Sequence, residues 1–139
     1  MIDLETARTF FSSAPFMVDL GIVPTAVSEG RCETEMTLLP RHLQHTGQCH
    51  AGVVTSLADH TAGAAAQTVI RGGGIAITAE LKISLLRPAQ GERLVCAGTV
   101  IKPGRALIFA ESEVFAVTGE QRTLVAKLSA TLAVVQPPT

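Results

Sequence analysis

Residues 51 to 70 form the stretch that most restricts how this chain can fold. The stretch contains no proline, and Asp59 is its only aspartate, glutamate, lysine or arginine. Alanine and leucine favour a helix, and the glycines at positions 72 to 74 are expected to end it. Because apolar residues lie on nearly every side of such a helix, the sequence predicts a long buried helix over residues 51 to 70.

A single carboxylate inside that helix requires an explanation. An ionised aspartate is costly to bury unless partners or water reach it, so Asp59 is predicted to face a site or an interface. The alternative is a structural carboxylate that bonds a buried backbone group. Residues 47 to 50 lead into the helix, and the free N–H groups of its first turn are suited to hold a negatively charged oxygen.

Size and composition bound the possible functions. The 139 residues fit one domain, predicted over residues 1–139. Hydrophobic residues make up 47% and charged residues 17%, which predicts that part of the surface is buried against another copy. The net charge of −1, with 11 scattered lysines and arginines, argues against nucleic-acid binding. The chain shows no apolar run long enough for a membrane span and no signal peptide, so a soluble, cytoplasmic protein is expected.

The order of elements predicts an α+β fold. A short helix is expected over residues 3–12, ended by Ser12, Ser13 and Pro15 and anchored by the phenylalanines at positions 10, 11 and 16. Alternating patterns then predict strands at 20–29, 31–39, 75–85, 93–102, 107–117 and 123–135. The strand at 75–85 has the most regular alternation and is expected to be central. A curved antiparallel sheet wrapped around one long helix satisfies this order.

Three segments carry a resemblance to a known family. They are Gly47-x-x-His50-Ala51-Gly52 with Leu57-Ala58-Asp59, then Thr78-Ala79-Glu80-Leu81 leading to Leu86-Arg87-Pro88-Ala89, and the turn Lys102-Pro103-Gly104-Arg105. Together with the element order, they resemble the hotdog-fold acyl-CoA thioesterases, particularly the phenylacetate-pathway branch. The resemblance covers nearly the whole chain.

The resemblance implies roles for individual residues. Asp59 matches the catalytic carboxylate, Ala51 the residue whose N–H polarises the thioester carbonyl, and His50 the motif histidine. Two positions depart from the family, since Ala51 replaces a usual glycine and Gln44 a frequent asparagine. The residues predicted to bind the substrate are Gly52, Thr78, Gln48, Arg87, Lys102 and Arg105. The family works as dimers or tetramers without metal, and coenzyme A enters only as part of the substrate.

Several residues have simpler interpretations. His50 could orient its loop through backbone hydrogen bonds instead of transferring a proton. The cluster His42, His45, Cys49 and His50 does not have a usual zinc spacing, and no metal is expected. Cys49 before a buried helix is expected to pack and not to act as a nucleophile, and no disulfide is expected among the three cysteines. Arg87, Lys102 and Arg105 could converge on one rim to bind phosphates or could belong to solvated turns.

The function predicted from these observations is hydrolysis of acyl-CoA thioesters, with Asp59 as general base or as nucleophile. The alternatives are a non-catalytic acyl-CoA-binding module and a hotdog enoyl-CoA hydratase. Ala51 and Asp59 are eight residues apart, about 12 Å along one helix, so one copy cannot apply both to one carbonyl. A homodimer, or a dimer of dimers, with antiparallel helices and shared sites is therefore expected.

Overall fold

The computed structural model describes residues 2–137. Ten elements follow one another along the chain: α1 (Leu4–Ser12), α2 (Pro15–Leu20), β1 (Val23–Ser28), β2 (Arg31–Thr37), a short 3-10 helix (Pro40–His42), α3 (Ala51–Gln67), β3 (Ile75–Leu85), β4 (Arg93–Lys102), β5 (Leu107–Thr118) and β6 (Gln121–Val135). The α+β prediction is confirmed, and the six predicted strands are present with ends shifted by at most a few residues.

The six strands form one curved antiparallel sheet around α3. Their order is β1-β2-β4-β5-β6-β3, so β4 and β5 occupy its centre. The prediction that residues 75–85 form a central strand is wrong, because β3 pairs only with β6 and lies at an edge. Alternation along a strand reports which face is buried, whereas the strand's place in the sheet follows from the connections.

The long helix lies directly on the central strands because a glycine lets it approach. A Cβ atom on Gly98 of β4 would lie 2.7 Å from the Thr61 backbone oxygen of α3. Beside this contact the Ser112 hydroxyl of β5 donates to the Ala58 backbone oxygen over 2.8 Å. The hydroxyls of Thr34 and Thr61 also form a hydrogen bond of 2.6 Å. These contacts hold the helical turn that contains Asp59 against the sheet.

A β-bulge changes which residues of β3 face the helix. Thr78 pairs with Leu132 and Glu80 with Thr131, so Ala79 is an extra residue in β3. Since Leu132 points into the core, Thr78 faces inward, while Ile77 points outward and is 51% exposed. The predicted regular alternation along residues 75–85 is therefore wrong at the bulge, which places a hydroxyl on the face toward α3.

The helix ends and the N-terminal segment differ from their predictions. Helix α3 stops at Gln67 and not at residue 70, because the Thr68 hydroxyl turns back to the Ala65 carbonyl over 2.6 Å. Pro15 does not only end a helix but begins α2, at a position that needs no N–H donor. Of the three expected anchors Phe11 is buried, whereas Phe10 and Phe16 are 50% and 58% exposed.

No helix within residues 2–137 has the length and apolar character needed to cross a membrane.

The close contact at Gly98 leads to the first prediction. Gly98→Ala should lower the free energy of unfolding by about 1–3 kcal/mol, because the added methyl group meets backbone atoms of α3 that cannot yield without moving the helix. Thr99→Ser, on the opposite, exposed face of β4, keeps the hydroxyl that accepts from Arg31, so it is the control and should change stability by less than about 0.5 kcal/mol. Urea unfolding of the three proteins measures both effects, and equal stability of Gly98→Ala and wild type would contradict the direct contact.

Candidate functional site

The N-terminus of α3 presents one unoccupied backbone donor. The Gly52 N–H donates to His50 Nδ1 over 2.8 Å, and the Val53 N–H donates to the His50 carbonyl over 3.0 Å. The His50 N–H itself donates to the His42 carbonyl over 2.9 Å. Within residues 2–137 the exposed Ala51 N–H has no acceptor. This donor points outward from the positive end of a helix dipole, which suits it to a negatively charged oxygen.

His50 acts as the N-terminal cap of α3. Its Nδ1 accepts a hydrogen bond from Gly52, so this nitrogen carries no proton and the imidazole proton lies on Nε2. The backbone hydrogen bond anticipated as one of its two roles is thus present in the structure. The bond also fixes the first turn of α3, and with it the direction of the Ala51 N–H.

Asp59 is held by one hydroxyl group. The Thr78 hydroxyl of β3 donates to Asp59 Oδ1 over 2.8 Å, and both residues are half-buried. No other hydrogen bond to this carboxylate is formed within the described residues, and none comes from a backbone N–H. The interpretation of Asp59 as a carboxylate that caps buried backbone is therefore not supported. Its Oδ2 remains available to a water molecule or a ligand.

Ala51 and Asp59 lie on the same continuous helix. Eight residues separate them, so the free N–H and the carboxylate are about 12 Å apart along the axis. General-base catalysis needs a carboxylate within about 3 Å of the proton that it removes. Within one chain, the two groups therefore cannot act on one thioester carbonyl.

A cavity of about 320 Å³ lies beside the Ala51 N–H. The side chains of Gln44, Gln48 and Arg87 contribute polar groups to its lining, together with apolar residues such as Val54. Gln44 Oε1 accepts from the Thr46 N–H over 2.9 Å, which leaves the amide nitrogen of Gln44 free to donate. Arg87 donates to the Leu124 carbonyl over 2.9 Å. The structure thus brings together four of the residues predicted for the site.

The remaining two predicted cations lie at the other end of the molecule. Arg105 lines a cavity of about 300 Å³ next to Ile70 and Arg71, beyond the C-terminal end of α3, and Lys102 ends the adjacent strand β4. Arg87 lies near the N-terminal end of this helix, whose 17 residues span about 25 Å. The expectation that Arg87, Lys102 and Arg105 could converge is therefore wrong within a single chain. Sequence reasoning did not place Arg71 here, and the structure pairs its guanidinium with the Glu29 carboxylate.

The cysteines are packed as thiols. Burial raises the pKa of Cys49 to about 11, and its Sγ lies 3.7 Å from the His50 carbonyl. Burial likewise raises the pKa of Cys32 to about 12 and that of Cys96 to about 11. A thiol that stays protonated is a poor nucleophile, so the packing interpretation of Cys49 is supported.

Within the described part of the chain, no group of three or more His, Cys, Asp or Glu side chains could hold a metal ion.

His60 is a feature that sequence reasoning missed. Its ring packs edge-on against Phe11 of α1, with the ring centroids 4.4 Å apart. Its Nε2 is buried and has no hydrogen-bond partner within residues 2–137. Burial lowers the pKa of this imidazole, although the neighbouring Asp59 carboxylate acts in the opposite direction. The sequence shows a histidine in a helix but gives no signal of which distant ring covers it.

Fold and site together define a class of protein: a single buried helix crosses a curved antiparallel sheet, with a free N–H at its start and a hydroxyl-bound aspartate in its middle. The sequence model of the thioesterase superfamily matches residues 46–123 of this chain. The chain belongs to the thioesterase superfamily, and its fold is the hotdog fold.

Solved structures support this assignment. A thioesterase family protein from Silicibacter pomeroyi is 31% identical, with a TM-score of 0.91 over 94% of this chain and 96% of that chain. A putative thioesterase from Ralstonia eutropha, described as phenylacetic acid degradation-related, is 26% identical, with a TM-score of 0.78 over 91% and 97%. The E. coli PaaI protein from the phenylacetic acid degradation operon shares the fold at 23% identity, with a TM-score of 0.83 over 94% and 91%.

No curated protein matches the chain in sequence. The superfamily and these neighbours support thioester hydrolysis as the general activity.

The buried histidine predicts how stability depends on pH. Because the pKa of His60 is lowered on folding, the unfolded chain takes up this proton first as the pH falls. The free energy of unfolding should therefore be unaffected by His60 above about pH 6.5 and fall below it, by at most about 1.4 kcal/mol per pH unit. His42, whose pKa is also lowered by burial and by Arg41, acts in the same direction.

Urea unfolding between pH 7.5 and pH 5 tests this prediction. His60→Asn should show a shallower loss of stability across this range than wild type. His45→Asn, which changes an exposed ring, is the matched control and should keep the wild-type slope. Identical slopes in wild type and His60→Asn would show that the buried imidazole does not set the pH dependence.

Proposed function

We propose that this protein hydrolyses acyl-CoA thioesters to a free acid and coenzyme A, at sites shared between two copies of the chain. The observation that carries the proposal is the pair of complementary groups on α3, a free Ala51 N–H at its start and an Asp59 carboxylate with one free oxygen about 12 Å further along. Hydrolysis of a thioester needs the N–H at the carbonyl oxygen and the carboxylate beside the water that attacks the carbonyl carbon. Two antiparallel copies of α3 supply them.

The thioester carbonyl oxygen accepts a hydrogen bond from the Ala51 N–H. Negative charge grows on this oxygen as the carbonyl carbon is attacked, and the positive end of the helix dipole stabilises it. The free amide nitrogen of Gln44 lines the same cavity and can donate to the same oxygen. The longer Gln44 side chain and the Ala51 methyl group, where the family usually has asparagine and glycine, then restrict how the acyl group approaches.

Asp59 of the second copy acts as the general base. Its Oδ1 is held by the Thr78 hydroxyl, which leaves Oδ2 to bind the attacking water. The water oxygen bonds to the carbonyl carbon while its proton passes to Asp59. The carbon–sulfur bond then breaks, and the departing sulfur takes up the proton. An attack by Asp59 itself, which would form an anhydride, uses the same geometry and is the alternative mechanism.

The antiparallel arrangement would also bring Lys102 and Arg105 of one copy close to Arg87 of the other. The C-terminal end of α3 in one copy would lie near the N-terminal end of α3 in the other. Lys102 and Arg105 of one copy would then approach the site built on Ala51 of the other, where Arg87 already lies. We assign these cations to the phosphates of coenzyme A. Gln48 and Gly52 would contact the linking arm of the substrate beside the helix start.

The open edge of the sheet supports a homodimer. Strand β3 is 11 residues long, contains no proline and pairs with β6 on one side only. An unpaired edge of this length is a template for pairing with another strand, and a second β3 satisfies it symmetrically. Ile77 on β3 is an exposed apolar side chain that such pairing could cover. A dimer of dimers would build on the same unit.

Thiol release from a panel of acyl-CoA esters tests the activity. A thioesterase frees coenzyme A from several esters at rates that depend on the acyl group. A binding module would bind the esters without releasing thiol, and a hydratase would change the absorbance of an enoyl-CoA without releasing thiol. Either of these results would contradict the proposed reaction.

Asp59→Asn should lower kcat by about a hundredfold to ten-thousandfold, because the amide keeps the size of the side chain but cannot accept a proton. Asp19→Asn, at an exposed position of α2, is the matched control and should keep wild-type rates. Thermal unfolding should show that both variants are folded. A folded Asp59→Asn variant with near wild-type turnover would exclude this carboxylate as the base.

Mixed dimers test whether the site is shared. Ala51→Pro removes the N–H donor at the first position of α3, where proline is well tolerated, and should be inactive. Ala51→Gly keeps the N–H and should remain active. Heterodimers of Ala51→Pro with Asp59→Asn, isolated with two different tags, should regain one working site. If these heterodimers are inactive while the Ala51→Gly control is active, the shared arrangement is wrong.

A further inference from the structure

An apolar cavity of about 180 Å³ lies beneath α1, away from the groups discussed above. Helix α1 covers it with Ala7, Phe10 and Phe11, and Ala64 of α3 forms the opposite wall. The rest of its lining comes from residues before α1, in α1, in β1, around the C-terminal end of α3 and at the start of β3: Ile2, Thr6, Val27, Gln67, Thr68 and Ile75. Phe10 lies in this lining and is half-exposed, so the cavity is reached from the surface beside this side chain.

The two polar residues at the C-terminal end of α3 that line the cavity, Gln67 and the capping residue Thr68, are already hydrogen-bonded. The Gln67 amide donates to the Gly74 carbonyl and accepts from the Ala76 N–H, both over 3.0 Å. The Thr68 hydroxyl donates to the Ala65 carbonyl and accepts from the Gly30 N–H. No charged side chain lines the cavity within residues 2–137. A charged group that entered this cavity would find no ionic partner, whereas an apolar group would leave the hydrogen bonds of Gln67 and Thr68 intact.

The cavity lies beside the face of α3 that carries His60, the residue next to Asp59, because His60, Ala64 and Gln67 follow one another at helical spacing. Ala64 follows Asp59 by five residues, about 7.5 Å along α3 toward its C-terminal end. Phe11, which lines the cavity, also packs on His60, the residue next to Asp59. The cavity beside Ala51, in contrast, lies at the start of α3 and carries the amides of Gln44 and Gln48.

We infer that the cavity beneath α1 receives the acyl group of the substrate, and that α1 sets which acyl groups are accepted. This inference rests on the proposed thioesterase function. The two ends of an acyl-CoA differ in chemistry, because the linking arm carries amides whereas many acyl groups are hydrocarbon. The cavity beside Ala51, whose mostly apolar lining includes two amides and the Arg87 guanidinium, suits the arm, and the cavity beneath α1, which no charged side chain lines within residues 2–137, suits the acyl group.

Volume and lining define the substrate class. A dry apolar cavity of about 150 Å³ in another protein holds one benzene molecule. At about 180 Å³, the cavity accepts a compact apolar acyl group of about six carbons beyond the thioester and excludes long chains and dicarboxylic acyl groups. The α1 and β1 residues of its lining lie outside the segment matched by the superfamily model, residues 46–123, whereas the wall formed by Ala64 lies within it.

Two substitutions of opposite effect test the inference. Ala64→Leu fills the cavity and should lower kcat/KM for hexanoyl-CoA about tenfold or more while leaving acetyl-CoA within about twofold, since only the longer group reaches the filled space. Phe10→Ala opens the cavity and should raise the ratio of decanoyl-CoA to hexanoyl-CoA turnover. Phe16→Ala, another exposed phenylalanine outside the cavity, is the control and should change neither ratio.

The outcomes separate this inference from the proposed function. Equal effects of Ala64→Leu on acetyl-CoA and hexanoyl-CoA, or an unchanged chain-length preference in folded Phe10→Ala, would overturn the acyl pocket while leaving the thioesterase in place. Toluene binding, followed by ligand-observed NMR, gives a readout that needs no catalysis. Toluene should bind wild type and Phe16→Ala but not Ala64→Leu. If no ester releases thiol, the proposed function fails, and loss of toluene binding in Ala64→Leu would still show that the cavity is an apolar binding site.

Discussion

The close approach of α3 to the sheet is the contact on which the rest of the molecule depends. It is possible only because Gly98 has no side chain where the backbone of Thr61 passes. The buried hydroxyl of Ser112 then reaches the Ala58 carbonyl of α3, whereas a more distant helix would leave this hydroxyl without an acceptor. This contact sets the height of the turn that carries Asp59, and therefore where the carboxylate meets Thr78. A site assembled from two elements needs such a rigid support, because a displacement of about 1 Å can strongly reduce turnover.

The two ends of α3 have different chemistry, and in the proposed mechanism this division is the reason why a site needs two copies. The start of the helix offers hydrogen-bond donors and amides, whereas the region beyond Asp59 is covered by apolar side chains of α1 and ends at Arg71 and Arg105. One straight helix keeps these regions apart. Pairing with a second, reversed helix would place donor, base, acyl pocket and cations around one thioester, without any of them moving within its own chain.

Much of the fold could be predicted from local patterns, whereas several contacts could not. The nearly uncharged helix over residues 51–70 and the alternating strands report burial directly, and Asp59 stood out because no other aspartate, glutamate, lysine or arginine shares its helix. The edge position of β3 depends on pairing, which alternation does not encode. Pro15 marks a helix boundary but does not tell whether it ends one helix or begins the next. The contact of His60 with Phe11 and the separation of Arg87 from Arg105 depend on the path of the whole chain.

The bulge at Ala79 breaks the regular alternation of β3 and thereby turns the Thr78 hydroxyl toward Asp59. Without the extra residue, Ile75 and Ile77 would point into the core and Thr78 would face away from the helix, as the simple alternation suggests. The chain instead leaves Ile77 in the open and turns a hydroxyl toward Asp59. A protein engineer who regularised this sheet by deleting one residue would improve its local burial and remove the only hydrogen-bond partner that the described residues give this carboxylate.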